Sequence, residues 1–74
     1  MKKKDKRCAT LGFNIKVARF KKRLTQFTLA ELVDVSESTI SLIERGIQTP
    51  SIFLVYDIAK ALNIDINELL KEVD

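Results

Sequence analysis

Two helix-forming stretches stand with only "DVS" between them in "TQFTLAELVDVSESTISLIERG", and no other feature restricts the fold of this chain so strongly. Leu29, Ala30 and Val33 share one face of the first stretch, and Ile40 and Ile43 share one face of the second. Thr25 is the expected N-cap of the first helix and Ser36 of the second, with Val35 and Ile40 placed to pack across the second helix start. Gly46 suits the left-handed position that ends the second helix. So short a connection forces the two helices to cross sharply, and the small Ala30 lets their backbones approach.

The remaining sequence also reads as short helices. Leu11, Ile15, Ala18 and Lys22 share a face at 3.6 periodicity, which predicts a helix from about Leu11 to Lys22. After the turn "QTPS", Ser51 caps a helix whose buried stripe is Ile52, Val55, Ile58, Ala59 and Leu62, and Asn63 closes it. Asp65 and Glu68 then form a potential capping box for a short fifth helix carrying Leu69 and Leu70. The fold expected is all-α, with five helices. Its boundaries are a basic flexible arm over residues 1–10, one domain over 11–70 and a tail over 71–74.

With 74 residues the chain holds one domain, near the lower size limit for a self-sufficient core. One cysteine and no histidine exclude an internal disulfide and argue against a structural zinc site. Charge interrupts the segment after "MKKKDKR" every few residues, so no signal-peptide core forms, and no apolar run reaches membrane-spanning length. A cytoplasmic location is expected. Catalysis is not, because there is no histidine, no nucleophile beside a recognisable base and no glycine-rich phosphate loop; no cofactor is expected either.

The net charge of +3 conceals an uneven distribution. Residues 1–23 hold ten Lys and Arg against one Asp, whereas residues 24–74 hold three against nine acids. Such a basic segment suits a phosphate backbone or an anionic membrane surface. A plain solvated tail is the alternative for its first residues.

The spacing of Gln26, Leu29, Ala30, Val35, Ile40 and Ile43 resembles the phage-repressor helix-turn-helix family of the lambda Cro and cI (XRE) type. "LGFNIKVAR" looks like that family's first helix, "ERGIQTPSI" like the loop after its reading helix, and "IAKALNIDINELL" like its fourth and fifth helices. The likeness covers about Leu11 to Leu70. It implies a sequence-specific regulator that binds double-stranded DNA, bacterial or phage-encoded, acting as a homodimer on a palindromic operator. An antitoxin-like or anti-repressor interaction module on the same fold is the alternative.

By the resemblance, bases are read from Glu37, Ser38, Ser41 and Leu42, and less directly from Thr39. The chemistry departs from that of many relatives, which place Arg, Lys or Gln at the positions of Glu37 and Leu42. Glutamate accepts from cytosine N4, and leucine touches only a thymine methyl. Attraction to phosphate must then come from Gln26, Arg45, Lys16 and Arg23, with Lys21 and Lys22 nearby and the basic residues Lys2 to Arg7 as a wrapping arm. The family uses the position of Gln26 for a phosphate oxygen.

Helical phase sets Arg19 beside Ile15 and Ala18, and Glu44 beside Ile40, so each needs a partner. The resemblance pairs the two as a partly buried salt bridge. Asp34 and Arg23 stand where relatives carry glycine, and both positions call for positive φ. Phe13, Val17 and Phe20 form a second apolar stripe on the first helix, and Phe27 and Phe53 replace residues usually polar. Interface and enlarged core both stand as readings of them. The homodimer contact is expected through either the C-terminal helix or this Phe-rich surface. Cys8 falls in the expected flexible arm, with no role assigned.

Overall fold

The computed structural model describes residues 5–74, and the part of the expected wrapping arm formed by Lys2, Lys3 and Lys4 lies outside them. The described chain forms five helices: α1 (Lys6–Lys21), α2 (Gln26–Leu32), α3 (Glu37–Glu44), α4 (Ile52–Leu62) and α5 (Ile66–Leu69). No strand occurs among the described residues. Ile15, Leu29, Ile40, Ile43, Ile58, Leu62 and Leu69 are the largest fully buried side chains, so all five helices contribute to one core. Removing each of these from water contributes about 1.5 to 3 kcal/mol.

Starts and stops are local chemistry. Thr25, Ser36 and Ser51 each accept the backbone N–H three residues on, which satisfies one of the donors a helix start leaves open. Each of α1 to α4 ends in one pattern: the residue in the left-handed region bonds back to the carbonyl three before it, and the next residue reaches the carbonyl five before itself. The left-handed residues are Arg23, Asp34, Gly46 and Asn63, with φ of 59°, 59°, 76° and 56°. The paired bonds include Arg23 to Phe20 with Leu24 to Arg19, and Gly46 to Ile43 with Ile47 to Leu42. Only one of the four is glycine, so the other turns carry left-handed strain of about 1 to 2 kcal/mol in exchange for satisfied carbonyls; Asn and Asp bear it most easily.

Four expectations are corrected. Residues 6–10 are helix, not flexible arm, because Asp5 caps α1: its Oδ1 accepts from the Arg7 amide at 2.8 Å and its Oδ2 from the Arg7 guanidinium at 2.8 Å. Cys8 is therefore a helical residue, half-buried, with Sγ 2.9 Å from Thr49 Oγ1. Ile52 has the right phase for the core but lies at the first turn of α4 and stays 59% exposed. The capping box of α5 does not close, because the Asp65 carboxylate accepts from Asn67 N rather than from Glu68. Residues 71–74 are not a loose tail throughout, since Val73 packs against the core and the Lys71 carbonyl accepts from Asn14.

The Arg7 side chain and amide together hold the Asp5 carboxyl down from 3.8 to about 2. A depressed carboxylate contributes stability that is present above the ordinary value and lost as pH falls through the folded one. Amide protection over Cys8 to Thr10 should therefore be lost selectively between pH 3.8 and about 2, with no matching loss in the first turns of α2 to α4, which Thr25, Ser36 and Ser51 cap. Asp5→Asn should abolish that step; its persistence in the variant would assign it to another group.

Candidate nucleic-acid interface

α3 is held against α1 and α2 on its inner side by Ile40, Ile43 and Glu44, all buried. Its opposite side carries Glu37 and Ser38, both exposed, and ends at the exposed Arg45. Arg45 is the C-cap residue, and its Nε leans on the Ser41 carbonyl at 3.4 Å. Thr39, Ser41 and Leu42 are half-exposed. The Thr39 hydroxyl turns back to Ser36 Oγ at 2.8 Å. The Leu42 carbonyl accepts from the Ile47 amide at 2.9 Å in the terminating pattern of α3, and Ile47 itself is exposed.

The buried pair is present. Arg19 Nε lies 2.7 Å from Glu44 Oε2 and Arg19 Nη2 lies 2.9 Å from Glu44 Oε1. Arg19 Nη1 also donates to the Leu24 carbonyl at 2.8 Å, which closes the turn from α1 to α2. The third side chain at the pair is Gln26, whose Nε2 donates to Glu44 Oε1 at 3.0 Å. That bond brings the start of α2 to the end of α3, one residue from Arg45. Nothing in the sequence signals it, because the residues are 18 apart on different helices and share no periodicity.

The basic residues divide. Lys16 and Arg23 are exposed, and by helical phase Lys16 flanks the Gly12 and Arg19 edge of α1 that packs on α3. Lys21 and Lys22 line a groove with Phe13, Val17, Ile64 and Glu68 between α1 and the C-terminal segment. Phe13 and Phe20 are exposed, and the Lys16 ammonium and Arg19 guanidinium lie 5.9 and 4.6 Å from the Phe20 ring. Phe27 and Phe53 are exposed too, so the phenylalanines do not enlarge the core. The C-terminal apolar residues do the reverse: Leu69 is fully buried and Leu70 and Val73 pack against the core.

Among the described residues, no helix is long and apolar enough to cross a membrane, and no group of acidic, cysteine or histidine side chains is placed to hold a metal ion.

Two short helices crossing through the four residues Val33 to Ser36, the second with a polar outer face, define the helix-turn-helix class. Residues 15–69 match the helix-turn-helix family model, and the chain belongs to that family of DNA-binding transcriptional regulators. It is 36% identical over 63 residues to the immunity repressor protein of Bacillus phage phi105, a match covering 85% of this chain and 44% of the repressor. It is 40% identical over 55 residues to an uncharacterized HTH-type transcriptional regulator of Archaeoglobus fulgidus, covering 74% of this chain and 78% of that one. The chain thus spans less than half the length of the phage repressor. The structure superimposes on the restriction-modification controller protein C.AhdI of Aeromonas hydrophila with a TM-score of 0.81 at 32% identity, over 84% of this chain and 94% of that one. It also matches the clp gene regulator ClgR of Corynebacterium glutamicum with a TM-score of 0.88 at 28% identity, over 96% of this chain and 76% of that one.

Proposed function

We propose that this protein is a cytoplasmic, sequence-specific repressor that binds a palindromic DNA site as a homodimer and acts by binding rather than catalysis. The observation that carries the proposal is the outer side of α3, where Glu37, Ser38 and Arg45 stand exposed, with the Gln26 amide held at Glu44, the residue before Arg45. A helix of eight residues is about 12 Å long, comparable to the width of the major groove. Glu37 accepts from cytosine N4, Leu42 meets a thymine methyl, and Ser38 bonds to either kind of base edge. Gln26, Arg45, Lys16 and Arg23 contact phosphate. Similarity to a phage immunity repressor supports the repressor reading.

Titration against mixed-sequence duplex at about 50 mM and about 200 mM salt, followed by selection of bound sequences, tests this. Binding should be strongest at low salt and weaken by orders of magnitude at the higher concentration. Absence of binding at low salt would favour the interaction-module reading. Leu42→Gln should alter the selected sequence, whereas Gln26→Ala should weaken binding to all sequences alike. An unchanged selection with Leu42→Gln would mean that α3 docks otherwise.

For the dimer contact, the exposed Ile52, Phe53 and Tyr56 on one side of α4 are better placed than α5, whose apolar side chains are already used. Phe53 is 77% exposed, so its replacement disturbs no core contact. In sedimentation, Phe53→Glu should yield monomer, with helix content unchanged by circular dichroism. A dimer that survives it would place the contact elsewhere.

A further inference from the structure

We infer that Glu44 is a positioning residue for the phosphate contact of Gln26, in addition to being half of a buried ion pair. The inference rests on the reading that Gln26 contacts DNA.

Oε1 of Glu44 accepts twice, from Arg19 Nη2 at 2.9 Å and from Gln26 Nε2 at 3.0 Å, while Oε2 takes Arg19 Nε at 2.7 Å. Arg19 is fixed in turn by the Leu24 carbonyl. Side chains from α1, α3 and α2 thus form one network whose outer end is the Gln26 amide. An ionised carboxylate only accepts, so it selects the nitrogen end of that amide. One proton of Nε2 is used, and the second remains for a phosphate oxygen. A free glutamine would lose rotamer freedom on binding DNA; one held beforehand loses less, and the affinity gains accordingly. Arg19 has a second effect. It offsets the charge of Glu44, so the carboxylate can hold Gln26 without repelling the phosphate beside it.

The competing account is that the Gln26 to Glu44 bond contributes to folding only. A double-mutant cycle in DNA affinity separates the two, using Gln26→Ala and the combined replacement Arg19→Met with Glu44→Leu. Apolar residues of similar volume often replace a buried ion pair with little loss of stability, so the combined variant keeps the fold while removing the acceptor. Binding is measured on mixed-sequence duplex at about 50 mM salt, where phosphate contacts dominate.

Gln26→Ala should weaken binding about tenfold, the loss of one hydrogen bond to a charged group. The combined variant should weaken it about threefold to tenfold in the parent background and not at all in the Gln26→Ala background. Full affinity in the combined variant, with Gln26→Ala still weakened, would overturn the positioning role and leave the DNA contact standing. Full affinity in Gln26→Ala would overturn the contact itself and the positioning role with it.

If the combined variant fails to fold, the parent chain decides. The chain has two glutamines, and the exposed Gln48 serves as the internal reference. In the absence of DNA, the side-chain amide protons of Gln26 should exchange more slowly than those of Gln48; equal exchange overturns the proposal.

Discussion

Gly12→Ala is expected to be the most damaging single methyl this chain can receive. A Cβ at residue 12 would collide with the carbonyl oxygen of Ile43 and lie 2.7 Å from that of Glu44. Both obstacles are backbone of α3 and cannot rotate aside. The helices must separate, and the Arg19 to Glu44 pair one turn and more away must stretch with them. Overpacking commonly costs 1 to 3 kcal/mol, and a main-chain collision belongs at about 3 kcal/mol or above. For a domain of this size that corresponds to a fall in melting temperature of roughly 12 °C or more, readable by circular dichroism. A melt within a few degrees of the parent would mean that α1 and α3 can move apart freely, and the description of their contact would be wrong.

Breaking the buried pair should cost still more. Arg19 is 5% exposed and Glu44 7%, so removing either leaves the other charged in a place water does not reach. Arg19→Ala and Glu44→Ala should each lower stability by about 3 to 5 kcal/mol, a large part of the 5 to 15 kcal/mol that holds a typical domain together. The joint replacement Arg19→Met with Glu44→Leu should lie near the parent, because it removes both charges and keeps the volume. Urea unfolding of the four proteins checks this. A combined variant as unstable as the single ones would show that the network through Leu24 and Gln26, rather than the charge pair, carries the stability. High salt should change these differences little, since buried charges are screened far less than exposed ones.

Neither α1 residue advertises both of these effects. Gly12 has no side chain for a periodicity argument to use, and its importance arises only where another helix presses on it. Arg19 was legible as a charge on the core side, and its partner came from the family resemblance. The third member, Gln26, was not legible as a partner of Glu44, because two helices must first cross to bring them together. The same holds for the lysines. Lys16, Lys21 and Lys22 lie close in sequence, yet the helical turn sends the last two toward α5 and its acids. At α1, reading a run of lysines as solvated missed Asp5, whose cap extends the helix by five residues beyond the expected start.

The sequence alone determined the number of helices, four of their caps, the left-handed stops at Arg23, Asp34, Gly46 and Asn63, and the core stripe apart from Ile52. These depend on neighbours within about one turn, and local spacing records them. Tertiary structure decided which side chains remain exposed along α3, which lysines line the groove beside α5, and that Gln26 is held by a buried ion pair. Each of those depends on where separate helices touch, and a contact between residues far apart in the chain leaves no period in the sequence.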